Sequence, residues 1–123
     1  MTLEKTKEFR LKQSEEKIEI AKRLLSKGDC TQALVQAYQS IFYSVRVLLL
    51  EKGSDSDDFE KIVNLAREYF QPSGWLSLDI GTLLEKGRSI HEQMGNNSQS
   101  ATSAAEAQSF VDNAQKIREM IIR

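Results

Sequence analysis

Apolar side chains recur at spacings of three and four residues in five separate segments of the chain. The clearest segment spans residues 30–52, where one face is formed by Ala33, Leu34, Ala37, Tyr38, Ile41, Phe42, Val45, Leu48 and Leu49. This period is typical of an amphipathic α-helix with one buried side. We therefore expect the most buried residues to include Leu34, Tyr38, Ile41, Phe42, Val45 and Leu49.

Short polar breaks divide these segments into about five predicted helices. The first runs over about residues 3–27, and Gly28 and Gly53 fit the position just beyond a helix, where the backbone turns left-handed. Asp29 and Ser103 fit the N-caps of the second and fifth helices, because their side chains can accept hydrogen bonds from free backbone N–H groups. The pattern predicts an all-α fold, an antiparallel up-and-down bundle, with residues 1–123 forming a single domain.

The second half of the chain carries most of the interruptions. The third helix is expected to stop before the run at residues 71–74, QPSG, and the fourth to begin near Trp75, which we expect to pack its entrance onto the core. Gly87 in the fourth helix is interpreted as a site of close helix packing. Residues 95–102, GNNSQSAT, lack an apolar anchor, so we expect this segment to be the most mobile internal part.

Composition narrows the class of protein. The formal net charge is -1, so the chain has no global basic field of the kind that drives strong binding to nucleic acid. Cys30 is the only cysteine, which excludes an intrachain disulfide and agrees with a reducing compartment. No continuous apolar run reaches the roughly 20 residues of a membrane span, and the charged N-terminus does not read as a signal peptide. We expect a cytoplasmic protein without membrane contact.

The second helix is also apolar on the side opposite its main stripe. A helix that is apolar nearly all round lies at the centre of its bundle or against a second subunit. We therefore predict a homodimer with Tyr43, Arg46, Val47 and Leu50 at the interface. Arg46 lies between two valines, and either it extends its charged end to the edge or it pairs with an acid inside that interface; we favour the pair.

Metal and cofactor chemistry finds little support in the sequence. His91 is the sole histidine and Cys30 the sole cysteine, and a structural zinc site needs four nitrogen or sulfur ligands. The chain has no glycine-rich phosphate loop and no nucleophile elbow. We predict no metal and no cofactor.

One pair of residues has the equipment for RNA chemistry. Arg88 and His91, three residues apart on the fourth helix, can hold a phosphate and move a proton. They are the candidate catalytic residues and, with Asn96, the candidate nucleotide or RNA contacts. The alternative is that both residues have only structural roles. Arg88 then pairs with a neighbouring glutamate, and His91 is half-exposed.

The segment from Ser14 to Gly53 carries a pattern that can be compared with known families. Its recurring positions are Ala21, Leu24, Leu25, Gly28, Asp29, Ala33, Ala37, Tyr38, Phe42, Arg46, Leu48, Leu49, Lys52 and Gly53. In this order they resemble the HEPN family (higher eukaryotes and prokaryotes nucleotide-binding domain). The resemblance implies a small four-helix-bundle core, often encoded beside a minimal nucleotidyltransferase, and a nucleotide pocket between helices.

Some HEPN proteins are ribonuclease toxins that place an arginine and a histidine on one helix. In those proteins the two residues lie further apart than Arg88 and His91, which are separated by two residues here. The resemblance therefore favours a nucleotide- or RNA-binding or interaction module, the dimeric partner of a minimal nucleotidyltransferase in a toxin–antitoxin-type pair, over an enzyme. The alternatives are a metal-independent endoribonuclease that uses Arg88 and His91, or a ligand-free structural bundle that only oligomerises.

Overall fold

The structure, a computed structural model, describes residues 2–69, 79–95 and 102–122. These residues form five helices and no strand, which confirms the predicted all-α bundle. The helices are α1 (Leu3–Ser26), α2 (Cys30–Glu51), α3 (Phe59–Tyr69), α4 (Ile80–Gly95) and α5 (Ala104–Ile121). Trp75, Asn96 and most of the segment expected to be mobile lie outside the described residues.

The predicted helix ends are correct at all four named positions. Gly28 and Gly53 have φ angles of 79° and 71°, in the left-handed region that favours glycine. Ser103 caps α5, because its hydroxyl accepts a hydrogen bond from the Glu106 backbone N–H at 3.1 Å. Asp29 is the N-cap residue of α2, as predicted, but its side chain makes no capping bond, and its ψ of 72° departs from the extended 158° of Ser103.

The core is organised around α2, which packs against each of the other four helices. Leu34, Ile41, Val45 and Leu49 are fully buried and Tyr38 nearly so, as predicted. Phe42 is only partly buried, which corrects that prediction. It lies at the edge of the bundle, where its ring stacks on Phe59 of α3 with 6.2 Å between centroids.

By length and hydropathy alone, α2 is the one described helix that would suit a membrane span. Most of it is buried inside the bundle, and the core helix of a soluble protein passes the same test. Its apolar character is therefore explained by the helices packed around it. The absence of membrane contact stays a prediction.

Small polar residues let α1 and α2 lie close together. The Ser40 hydroxyl, buried between the two helices, donates to the Ser14 carbonyl oxygen of α1 at 2.8 Å. Val47 follows Ser40 at helical spacing and is fully buried within the single chain. Val47 was predicted at the dimer interface, and that prediction is wrong because α1 covers this side of α2.

Gly87 lets α4 approach α2. A Cβ atom at position 87 would collide with the ring and with the Cβ atom of Tyr38. The interpretation of Gly87 as a close-packing residue is therefore confirmed. The approach also holds the α4 residues on either side of Gly87 close to α2 and α3.

Candidate functional site

Arg88 is directed from α4 towards α3. Its guanidinium lies over the ring of Phe59, 4.4 Å from the centroid, at a distance typical of a cation–π contact. Its Nε also donates to Glu92 one turn further along α4, at 2.8 Å. One face of the Arg88 guanidinium thus lies on Phe59, and one edge pairs with Glu92.

His91 has different neighbours. Its side chain is exposed on α4, and its ring centroid lies 6.5 Å from that of Tyr38 on α2. Burial raises the pKa of Tyr38 to about 12, with Arg88 lowering it and Glu92 raising it to smaller extents. The Tyr38 hydroxyl therefore stays protonated at neutral pH and cannot serve as a base there. The one histidine is left without an acid–base partner on α2.

A groove of about 340 Å³ separates α3 from α4. Among the described residues, Arg88 contributes to the wall of this groove and His91 does not. Carboxylates outnumber guanidinium groups among the described residues that line it. These lining residues are Phe59, Glu60, Val63, Asn64, Arg67, Glu85, Arg88, Ser89 and Glu92.

The second arginine of the groove, Arg67, is also engaged. Its Nε donates to Asp79 at 3.0 Å and its Nη2 to Glu85 at 2.7 Å. Partial burial acts to raise the pKa of Asp79, but hydrogen bonds from Arg67 and Thr82 outweigh it and hold that pKa below its usual value. An incoming phosphate would have to compete with these carboxylates for both arginines.

A further charged cluster lies near the C-terminal end of α2, and the sequence analysis missed it. Asp55, in the loop after α2, accepts from Arg10 of α1 at 2.9 Å and from Arg46 of α2 at 3.1 Å. Arg46 also reaches Asp57 at 3.2 Å. Burial acts to raise the pKa of Asp55, and the two arginines together reverse that effect and lower it.

This cluster corrects the interpretation of Arg46. The acid that pairs with it belongs to its own chain, nine residues further on, and no second subunit is needed to neutralise it. The feature of the sequence that could have predicted this pair is the acidic run at residues 55–58, directly after the helix that carries Arg46. Tyr43 and Leu50, the other two predicted interface residues, are partly exposed.

Metal ligands do not cluster in the part of the chain that the structure describes: no three His, Cys, Asp or Glu side chains there could hold an ion together. Cys30 is a free thiol at the start of α2. Asn96, the third predicted nucleotide contact, falls outside the described ranges.

Comparison with known proteins now adds to this geometry. The family model of the HEPN domain matches residues 7–123, nearly the whole chain. No curated protein matches the chain significantly. The matched region contains all five helices apart from the first residues of α1. The chain belongs to the HEPN-domain family and is, in general terms, a nucleotide- or RNA-related helical module.

Proposed function

We propose that this HEPN protein is an interaction module that works as a homodimer and pairs with a minimal nucleotidyltransferase, as in a toxin–antitoxin-type pair. The observation that supports it best is the state of Arg88 and His91. Arg88 is held by Glu92 and Phe59 in the groove between α3 and α4, whereas His91 faces Tyr38 outside that groove. A module whose candidate catalytic residues are engaged separately is better suited to binding than to cleavage.

The charges of the groove also favour a protein partner over direct phosphate binding. Three glutamates and two arginines are present among its described lining residues, and both arginines are paired with acids. A phosphate bound there would displace a carboxylate from each guanidinium and meet the remaining negative charge. We therefore expect nucleotide or RNA to reach this module through its partner more readily than through the groove alone.

A cleavage assay tests the choice between module and ribonuclease. The purified protein is incubated with a mixed-sequence RNA in the presence of a chelator, beside Arg88→Ala and His91→Ala variants. We expect no cleavage above that of the two variants, because a general base must lie within hydrogen-bond reach of the attacking hydroxyl. Cleavage that both substitutions abolish would overturn the proposal in favour of an endoribonuclease.

The partnership is tested by co-expression with the nucleotidyltransferase encoded next to this gene, if the genome places one there. We expect the two proteins to co-purify in a fixed ratio through gel filtration. Failure to co-purify, or the absence of such a neighbouring gene, would contradict the partnership while leaving the dimer to be tested by itself.

A further inference from the structure

The loop after α2 and the start of α3 run back along the helix that precedes them. We define the strap as residues 54–59. The Ser54 backbone N–H donates to the Leu49 carbonyl oxygen at 2.8 Å. The next residue, Asp55, accepts a hydrogen bond from Arg46 at 3.1 Å. The contacts of the strap thus move towards the N-terminus of α2 as the chain moves away from it.

Two aromatic rings make the last contact of the strap on α2. Phe59, the first residue of α3, stacks on Phe42 with 6.2 Å between the centroids and 15° between the ring planes. The α2 residues that the strap contacts, Leu49, Arg46 and Phe42, are spaced by three and four positions, so they share one side of the helix. The strap therefore follows a single stripe of α2 over about two turns.

The charged anchor of the strap is the Asp55 carboxylate. It accepts from Arg10 of α1 at 2.9 Å as well as from Arg46, and the three side chains are only 17–19% exposed. Charge-assisted hydrogen bonds are about twice as strong as neutral ones. Asp57 also reaches Arg46, but its side chain is fully exposed, and an exposed ion pair contributes little. We therefore expect Asp55 to hold the strap and Asp57 to add little.

The far end of the strap reaches the groove between α3 and α4. The Arg88 guanidinium of α4 lies over the Phe59 ring, 4.4 Å from its centroid. Phe59 and Arg88 both line the groove. One short stretch of chain thus joins the ion pairs on α2 to the exposed arginine of α4.

The first turn of α3 depends on the strap for its position. The buried residues of α3, Ile62, Val63 and Ala66, begin three residues after Phe59. The Asp58 carboxylate, which is part of the strap, accepts from the backbone N–H of residue 60 at 3.1 Å. A segment with few buried contacts opens at a lower free energy than the core. The start of α3 is therefore the part of the groove wall that the strap can control.

We infer that the strap is a conformational device that sets the groove. Asp55 and the stack of Phe42 on Phe59 hold the first turn of α3 against α2, and this keeps Arg88 on the Phe59 ring. When the strap is released, the first turn of α3 moves away from α2 and Arg88 loses its ring contact. The inference goes beyond the proposed function, because it depends neither on the homodimer nor on the nucleotidyltransferase partner.

The test follows the Arg88 Nε–H signal by nuclear magnetic resonance. A proton held over the face of an aromatic ring is shifted upfield by the ring current, so this signal reports the contact with Phe59. Arg88→Lys assigns the signal by removing it, and Phe59→Leu marks its position without the ring. Asp55→Asn releases the strap, and Asp57→Asn makes the same chemical change at an exposed side chain.

We expect the wild-type Arg88 signal to lie upfield of its position in Phe59→Leu. In Asp55→Asn the signal should shift downfield towards that position, and in Asp57→Asn it should stay where it is in the wild type. Circular dichroism checks that each variant is folded. A folded Asp55→Asn protein with an unmoved Arg88 signal, or equal shifts in the two aspartate variants, would overturn the inference.

Phe42→Leu releases the strap at its aromatic end and carries the test if Asp55→Asn does not fold. Its Arg88 signal should shift in the same direction, and an unmoved signal would overturn the inference.

Hydrogen exchange gives an independent readout. Over labelling times of seconds to minutes, peptides from the start of α3 should exchange about tenfold faster in Asp55→Asn than in the wild type, because a hydrogen bond to a charged group is lost. Peptides from α5 should keep the wild-type exchange over the same times, since their opening costs more free energy. Unchanged exchange in α3, or an equal rise in α5, would overturn the inference.

Discussion

The cluster of Arg10, Arg46 and Asp55 and the groove between α3 and α4 both contain arginines, but their ion pairs differ in burial. In the cluster the three side chains are only 17–19% exposed. In the groove the side chains of Arg67, Arg88 and the acids that pair with them are 41–62% exposed. In both regions the arginines are paired with acids of the same chain. A concentration of charged residues is therefore a poor guide to where this protein has binding capacity left.

Substitution where α4 packs on α2 should have the largest effect on stability. Gly87→Ala places a methyl group against the part of the Tyr38 side chain that lies nearest the Tyr38 backbone. That part of the side chain has little room to move. We expect the free energy of unfolding to fall by about 1–3 kcal/mol, as is usual for overpacking a core. Urea unfolding followed by circular dichroism measures it.

Gly81→Ala is the matched control on the same helix. The added methyl group would meet the guanidinium end of Arg67, which is flexible and can move aside. The gain in helix propensity of about 1 kcal/mol offsets part of that cost. Equal losses at the two glycines would contradict the close approach of α4 to α2.

The cluster that joins Arg10, Arg46 and Asp55 should have an effect of similar size. Asp55→Ala leaves two partly buried guanidinium groups without this acid, and we expect a loss of about 1–3 kcal/mol at pH 7. Asp29→Ala should change stability by less than about 0.5 kcal/mol, because that side chain makes no capping bond. Thermal unfolding of both variants measures the two losses.

The same cluster predicts a dependence on pH. The folded-state pKa of Asp55 is lowered, so its stabilisation is present above its unfolded pKa of about 3.9 and is lost as the pH falls through the folded value. The difference between wild type and Asp55→Asn should therefore shrink in acid. A difference that stays constant from neutral pH to about pH 2 would show that the carboxylate charge is not the cause.

The helices were predictable because each depends on residues a few positions apart. The stripe on α2 fixed Ile41 and Val45 as core, and Ser103 marked the start of α5. Side-chain partners from distant segments were not predictable in the same way. Val47 lies off the main stripe and is fully buried, whereas Phe42 lies on the stripe and is only partly buried, with its ring stacked on Phe59 of α3.

The candidate site shows the same division. The sequence placed Arg88 and His91 one turn apart on one helix, and the structure agrees. The side chains that contact Arg88 and His91 depend on how α4 packs against α2 and α3. The spacing of the two residues in the sequence does not determine that packing. The pairing of Arg46 with Asp55 was predictable, since Asp55 lies only nine positions after Arg46, just beyond the end of the same helix.

The smallest expected effect concerns the groove. Glu92→Gln removes the acid that pairs with Arg88 but keeps the shape of the side chain. Because this pair is exposed, stability should change by less than about 1 kcal/mol. Binding of ATP, measured by calorimetry, should be weak in the wild type and tighten several-fold in the variant. Tight binding by the wild type would contradict the view that the acids close this groove to phosphates.

Hydrogen exchange tests the proposed homodimer and the expected lack of RNA binding in the groove most directly, because one experiment reports on both. The wild-type protein is labelled at low and high concentration, and at high concentration with and without RNA, and peptides from all five helices are followed by mass spectrometry. We predict that exchange in α1 and α2 slows as concentration rises, and that RNA leaves α3 and α4 unchanged. Slower exchange in α3 and α4 on adding RNA, with no effect of concentration on α1 and α2, would contradict the account.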